Sequence, residues 1–207
     1  MNSSYNSNHF SDLVDPPTGE EGLRWLEQGS EEQQRIAKLL HDSIILVQLA
    51  AYSPSIAGTF PIGLNIPGSD IDILCEVPDF DEFLETCQTL FGEFEKFMTL
   101  HSNTEDGEAC VIVRFTLQGI PIELFGQNKP VHDQNGCRHM IAERRLLALD
   151  VPAATEKIRQ LKIEGLKTEP AFALFYGLIA DPYNELYRLS EAPIGELKLI
   201  IAERPNF

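Results

Sequence analysis

The fold is decided by the stretch Ala57-Gly58-Thr59-Phe60-Pro61-Ile62-Gly63-Leu64-Asn65-Ile66-Pro67-Gly68-Ser69-Asp70-Ile71-Asp72-Ile73. Its end alternates acidic and apolar side chains, which is typical of a strand with one buried face. Asp70 and Asp72 lie two residues apart, so both carboxylates leave the same face of that strand. Two carboxylates so close repel each other, and a hard divalent cation between them removes the repulsion. The stretch therefore predicts a metal-binding strand that follows a glycine-containing loop.

A third carboxylate, Glu123, interrupts the apolar run Ile120-Pro121-Ile122-Glu123-Leu124-Phe125. Three carboxylates on neighbouring strands suit a phosphoryl-transfer site with two Mg²⁺ (or Mn²⁺) ions roughly 3.5–4 Å apart, one activating the acceptor oxygen and the other holding the triphosphate. Upstream, the Gly58-Thr59 pair and the turn at Gly63 offer backbone amides and a hydroxyl to phosphate oxygens. Each feature taken alone has an ordinary structural interpretation, as a solvated strand edge, a surface glutamate or a common dipeptide. Their combination is what indicates a nucleotide site.

In this order, Gly58-Thr59, Asp70-Ile71-Asp72 and the later Glu123 resemble the nucleotidyltransferase superfamily. That superfamily includes DNA polymerase beta, kanamycin nucleotidyltransferase and the minimal nucleotidyltransferases. The resemblance implies an α+β fold in which a mixed β-sheet is flanked by helices and followed by a C-terminal helical region. It also implies that the three carboxylates are catalytic and bind Mg²⁺ or Mn²⁺. The same resemblance assigns nucleotide binding to the loop residues Gly58, Thr59, Gly63 and Ser69.

Three blocks are similar, in order, to an uncharacterised bacterial family that is classed as nucleotidyltransferase-like and has no assigned substrate. They are Gly58-Thr59-Phe60-Pro61-Ile62-Gly63, Gln134-Asn135-Gly136-Cys137-Arg138-His139-Met140 and Gly165-Leu166-Lys167-Thr168-Glu169-Pro170-Ala171-Phe172. The resemblance runs from about Ser53 to Leu189.

The loop departs from many minimal nucleotidyltransferases, which carry a basic residue just before the turn glycine. Here Phe60-Pro61-Ile62 precede Gly63 without a cation, so other groups must meet the phosphate charge. The cations available in the C-terminal half are Arg138, His139, Arg145, Lys162 and Lys167. Arg138, His139 and Lys167 are assigned to the nucleotide. The structural alternatives remain open: an ion pair of Arg138 with Asp133 or Glu143, a packing role for His139, and a helix start at Lys167 with Thr168 as N-cap.

The chain is predicted to divide into a flexible tail (residues 1–19), a sheet domain (20–127) and a helical subdomain packed on it (128–207). A capping box of Ser30 and Gln33 predicts a long helix with core positions that include Val47 and Ala50. Gln118-Gly119 predicts an antiparallel hairpin. Strands are predicted at 55–60, 70–77, 96–101, 109–117 and 120–125, and helices at 79–94, 133–149, 153–162, 169–179, 183–189 and 196–202.

Composition limits the possible partners. The 207 residues contain 16 Lys and Arg against 32 Asp and Glu, which gives a net charge of −16. Such a surface repels phosphate backbones and anionic lipids, so extended nucleic acid and membranes are disfavoured. The sequence begins without a basic, apolar signal segment, and its four cysteines show no C-x-x-C spacing. A cytoplasmic protein with reduced thiols is expected.

The sequence thus predicts an enzyme that moves a nucleoside monophosphate from an NTP to a small-molecule or protein acceptor. The alternative is a weak or inactive module of the same fold that acts in nucleotide or protein binding, like an antitoxin. The missing loop cation is compatible with the alternative, whereas the three carboxylates favour the enzyme.

Overall fold

The computed structural model describes residues 19–104, 106–150 and 153–205. Within these residues the chain forms two compact units. The first, called the sheet unit, ends at Cys137, and the second, called the helical unit, begins at Arg138. The tail predicted for residues 1–19 lies outside the described residues except for Gly19, where the first helix begins. The domain boundary predicted at residue 127 stays a prediction.

The first unit contains a mixed sheet, in which the described strands have the order β1-β2-β5-β4-β3. Strands β2 and β5 are parallel, whereas each other pair of neighbours is antiparallel. The predicted α+β class is confirmed. The strands are β1 (Ser55–Ala57), β2 (Ile71–Glu76), β3 (Glu95–Asn103), β4 (Ala109–Leu117) and β5 (Ile120–Gln127).

Helices precede, interrupt and follow the strands. The first four are α1 (Gly19–Glu27), α2 (Glu31–Ser43), α3 (Ile45–Gln48) and α4 (Phe80–Phe91). The C-terminal helical region is α5 (Asn135–Leu149), α6 (Ala153–Ile163), α7 (Thr168–Tyr176), α8 (Pro182–Leu189) and α9 (Ile194–Glu203). None of the described helices combines the length and the apolar character needed to cross a membrane.

The long helix predicted after Ser30 is shorter than expected. Its capping box is confirmed, because the Ser30 hydroxyl accepts from the Gln33 backbone N–H and the Gln33 side chain accepts from the Ser30 N–H. Ile44 has a left-handed backbone with φ of 52° and ends α2. The chain direction then changes, so Val47 is 70% exposed and its predicted place in the core was wrong.

The β4–β5 hairpin sets the register of the sheet. Gln118 and Gly119 have φ of 50° and 82°, as in the two-residue type I′ turn that fits the twist of paired strands. Leu117 then pairs with Ile120, and three residues further from the turn Arg114 pairs with Glu123. The predicted antiparallel hairpin is confirmed.

One face of the sheet forms the core of the first unit. On β2, Ile71, Ile73 and Cys75 are completely buried, in one apolar cluster with residues of α2 and α4. The rings of Phe91 on α4 and Phe115 on β4 stack with centroids 4.9 Å apart. Because side chains alternate along a strand, the residues between these apolar positions leave the opposite face.

Candidate functional site

Asp72 on β2, Glu123 on β5 and Arg114 on β4 lie in one row across the sheet. Asp72 is the register partner of Glu123, and Glu123 is the register partner of Arg114. Side chains of register partners leave the same face, here the one opposite the core. The fold thus brings two of the three predicted carboxylates side by side. These three residues are called the carboxylate row below.

Asp70 lies just outside the sheet. The strand was predicted to include it, but β2 begins at Ile71 and Asp70 is exposed at the end of the preceding loop. In the described part of the chain, no three Asp, Glu, His or Cys side chains are arranged to hold a metal ion. Asp70, Asp72 and Glu123 therefore share a region of the sheet without converging on one point in this conformation.

Arg114 occupies the side of Glu123 that faces away from Asp72. Its Nε and Nη2 atoms both lie 2.7 Å from Oε2 of Glu123. The Arg114 side chain is 47% exposed and that of Glu123 is 20% exposed. Arg114 was not among the predicted site residues. Its pairing with Glu123 could have been found by counting outward from the Gln118-Gly119 turn, equally far along both strands.

Gly58 covers Asp72 from the neighbouring strand. Ala57 is the register partner of Asp72, and Gly58 follows with φ of +71°, a conformation that favours glycine. A Cβ atom at Gly58 would overlap the Asp72 carboxylate. Only glycine therefore lets the backbone approach this carboxylate so closely.

The loop between Gly58 and Asp70 is held by its own hydrogen bonds. The Leu64 N–H donates to the Thr59 carbonyl over 2.9 Å, and the Gly63 N–H donates to the Phe60 carbonyl over 3.1 Å. The Ser69 hydroxyl accepts from the Ile66 N–H at 2.9 Å, so this predicted nucleotide-binding residue also has a structural role. The loop is thus ordered by contacts within the sheet unit.

The donor chemistry on this face fits a divalent cation. Carboxylate oxygens are the ligands that Mg²⁺ and Mn²⁺ prefer, and Asp72 and Glu123 present them from adjacent strands. Asp70, at the end of the loop that leads into β2, adds an exposed carboxylate next to this strand. The residues present therefore suit the ion that the superfamily resemblance implies.

The second unit contains the remaining predicted nucleotide-binding residues. Arg138 pairs with Glu191 at 2.6 Å and lies 5.7 Å from the ring centroid of Tyr187. Sequence analysis considered Asp133 and Glu143 as its partners and did not find Glu191, which lies 53 residues away. Nucleotide binding by Arg138, His139 and Lys167 stays a prediction.

His139 belongs to a buried group of charged side chains. Its Nδ1 lies 3.3 Å from Oε1 of Glu169, and its ring centroid lies 5.8 Å from that of Tyr183. Glu143, one turn further along α5, and Lys162 on α6 are also buried, with 3% and 7% exposed. We call His139, Glu143, Lys162 and Glu169 the polar cluster.

The polar cluster perturbs both of its carboxyl groups. Burial raises the pKa of Glu143 well above its usual range, the charge of Glu169 adds to this, and Lys162 opposes it. Burial alone would also raise the pKa of Glu169, but the hydrogen bond with His139 and the charges of His139 and Lys167 lower it overall. Burial thus shifts Glu143 toward its neutral form, whereas its partners shift Glu169 toward its ionised form.

Two other candidate cations have clear structural environments. The buried guanidinium of Arg145 donates to the carbonyls of Leu189, Ser190 and Ala192, just after helix α8. Lys167 is exposed and is the N-cap of α7, without a side-chain capping bond. Thr168, predicted as the N-cap, is instead the first helical residue.

Residues 38–189 match the family described as Domain of unknown function (DUF4269). The chain belongs to the DUF4269 family. No curated protein matches its sequence.

Solved structures share the fold of this DUF4269 chain. One is the polymerase core of TRAMP, an RNA surveillance complex, with a TM-score of 0.50 and 16% identity over 91% of this chain and 63% of that chain. A cytoplasmic RNA terminal U-transferase has a TM-score of 0.50 and 13% identity over 86% of this chain and 69% of that chain. Cid1, which has RNA terminal uridylyl transferase activity, has a TM-score of 0.51 and 12% identity over 83% of this chain and 56% of that chain.

These similarities confirm the predicted nucleotidyltransferase fold for the DUF4269 chain. At such identities they establish the fold alone. The chain spans 63% of the length of the polymerase core and 56% of that of Cid1.

Proposed function

We propose that this DUF4269 protein is a metal-dependent nucleotidyltransferase. It moves a nucleoside monophosphate from an NTP to a hydroxyl or phosphate acceptor and releases pyrophosphate. The observation that carries the proposal is the pairing of Asp72 with Glu123 on adjacent strands, beneath Gly58, within a nucleotidyltransferase fold. Neither the carboxylate pair nor the fold would suffice alone.

The residues of the sheet unit have different roles in this reaction. Asp70, Asp72 and Glu123 hold the divalent cation, which when bound offsets the charge of the phosphates at the transferred group. The acceptor oxygen forms a bond to the α-phosphorus, and the bond from that phosphorus to the pyrophosphate oxygen breaks. A carboxylate at Glu123 takes the acceptor proton. Gly58, Thr59, Gly63 and Ser69 lie in the loop that holds the triphosphate, and the hydroxyls of Thr59 and Ser69 donate to its oxygens.

The acceptor is proposed to be a small molecule or a protein side chain. The structural neighbours named above act on RNA, but this chain has a net charge of −16, which opposes the approach of a polyanion. An acidic protein instead concentrates cationic acceptors near its surface and does not repel neutral ones. Extension of a labelled RNA by the purified protein would contradict this part of the proposal.

Calorimetric titration of the full chain with each NTP, with and without Mg²⁺, tests the site. We expect saturable, Mg²⁺-dependent binding of at least one NTP, weakened about 100-fold or more in Asp72→Asn. The matched control is Glu76→Gln, which removes an exposed carboxylate from the same strand and the same face. Equal binding by the wild type and Asp72→Asn, or no binding of any NTP, would overturn the proposal.

A weak or inactive binding module is the second candidate. It is favoured by the contact of Arg114 with Glu123 and by the loop that lacks a cation before Gly63. Pyrophosphate release separates the two functions. NTP binding without pyrophosphate release, across neutral, cationic and protein acceptors, would favour the module. Release that depends on Asp72 would favour the enzyme.

A further inference from the structure

Arg114 is the one cation that the sheet register assigns to the carboxylate row. Strand β4 presents it from the same face as Glu123 and Asp72, and the two-residue turn at Gln118-Gly119 fixes that register. A change of register by one residue would move Arg114 to the core face. Its place beside the carboxylates is thus set by the strand pairing and not by side-chain rotation alone.

The contact of Arg114 with Glu123 is centred on one carboxylate oxygen. Nε of Arg114 donates to Oε2 over 2.7 Å, and Nη2 lies 2.7 Å from the same oxygen. A carboxylate held at one oxygen keeps its orientation and can still offer the other oxygen to a cation. Arg114 can therefore stay in place while Glu123 acts as a ligand.

Charge balance then limits the number of ions. Before a nucleotide binds, Asp70, Asp72 and Glu123 together with Arg114 carry two net negative charges, which a single divalent cation neutralises. A second divalent ion bound to Glu123 would be repelled by the guanidinium that already contacts this carboxylate. The usual requirement of a two-metal site for ions about 4 Å apart would not be met beside Arg114.

We infer that Arg114 is a built-in counter-cation that takes the place of one metal ion, so that the carboxylate row binds a single divalent cation. It is a positioning residue that holds Glu123 beside Asp72 before the ion arrives. This inference rests on the proposed function, because it assumes that the carboxylates bind a divalent ion.

Titration of the full chain with Mn²⁺, alone and with the NTP that binds best, tests the inference by calorimetry and electron paramagnetic resonance. The wild type should bind one Mn²⁺ per chain and give the spectrum of an isolated ion. Arg114→Gln should bind two, with the first bound about tenfold more tightly because a positive charge about 6 Å away is removed. Arg114→Lys, which keeps the charge, should bind one.

Arg35→Gln is the matched control. Arg35 is also an exposed arginine with a 2.7 Å contact to one glutamate, Glu32, but it lies on α2. It should leave both the number of ions and their affinity unchanged. A wild type that binds two coupled Mn²⁺ ions, or an Arg114→Gln variant with wild-type stoichiometry and affinity, would overturn the inference.

Asp72→Asn distinguishes the two possible failures. If the wild type binds two ions and Asp72→Asn loses them, the proposed function stands and only the role of Arg114 fails. If neither the wild type nor Arg114→Gln binds Mn²⁺ in a way that depends on Asp72, the proposed function and the inference fail together.

Discussion

The carboxylate row of the sheet unit and the buried polar side chains of the helical unit differ in how their charges are compensated. In the row, Arg114 is about half exposed and contacts a single oxygen of Glu123. In the helical unit, Arg145 is 8% exposed and its guanidinium donates to three backbone carbonyls. One arginine balances charge at a surface, whereas the other satisfies buried acceptors.

The difference shows how to separate functional from structural charge in this chain. Buried polar groups are costly unless they are paired, so compensated clusters such as His139 with Glu169 contribute to folding. Partly exposed carboxylates on one sheet face have less need of protein partners and can receive an ion or a substrate. Stability and binding should therefore respond to different substitutions in the two regions.

The largest effect on stability is expected at Arg145. Arg145→Met keeps much of the side-chain volume but removes the donors to Leu189, Ser190 and Ala192. The free energy of unfolding should fall by about 3–5 kcal/mol, because buried acceptors are left without partners. Denaturant unfolding measures the change. A loss below about 1 kcal/mol, as for an exposed arginine, would remove the contrast between the two regions.

At Gly58 we expect a smaller loss of stability than at Arg145, together with a loss of NTP binding. In Gly58→Ala, the methyl group overlaps the Asp72 carboxylate, which must rotate out of its place in the row. We expect NTP binding with Mg²⁺ to weaken at least about tenfold, while stability falls by about 1–2 kcal/mol from the strain of positive φ.

Gly68→Ala isolates the backbone contribution. Gly68 also has a positive φ, of 88°, in the same loop, but a Cβ there meets open space. Its stability loss should resemble that of Gly58→Ala, with binding unchanged. Equal loss of binding in both variants would show that loop strain, and not the contact with Asp72, is what matters at Gly58.

Much of the fold followed from periodicity and turn chemistry. The capping box at Ser30 and the hairpin at Gln118-Gly119 depend on residues close together in sequence, and both are confirmed. The long helix was wrong because Ile44 adopts a left-handed backbone that branched residues seldom take, and no local pattern announces it. Tertiary packing outweighed propensity there.

Prediction of the candidate site was uneven for a similar reason. Asp72 and Glu123 come from strands about 50 residues apart in the chain, and their place on neighbouring strands was expected from the chemistry of the acidic residues and from the superfamily resemblance, not from a local pattern. The partners of Arg138 and His139 are Glu191, in the connection between α8 and α9, and Glu169 in α7. Helix periodicity gives the face of each helix but not which helices meet, so neither pairing could be derived.

The polar cluster should give stability a pH dependence through Glu169. Its pKa is lower in the folded chain than in the unfolded chain, so its ionised form stabilises the fold. That contribution is complete above the unfolded pKa of about 4.3 and is lost as the pH falls through the folded pKa. Glu169→Gln should therefore cost about 1–2 kcal/mol at pH 7, with the difference vanishing well below pH 4.

Thermal unfolding followed from pH 3 to pH 8 measures this difference. Glu156→Gln, at an exposed position of α6, should change stability by less than about 0.5 kcal/mol at every pH. A cost for Glu169→Gln that is the same at pH 3 and pH 7 would mean that shape, and not charge, accounts for its contribution.

The smallest effect on stability is expected at Arg114, where the comparison with Arg145 is most direct. An ion pair this exposed contributes little to folding, so Arg114→Gln should lower the free energy of unfolding by less than about 1 kcal/mol. High salt screens an exposed pair, so even this difference should shrink in 1 M NaCl, whereas the loss in Arg145→Met should persist. If Arg114→Gln lost as much stability as Arg145→Met, the row would be part of the folding core and its charges would have a structural explanation. A small, salt-sensitive loss would leave binding as the property that Arg114 controls.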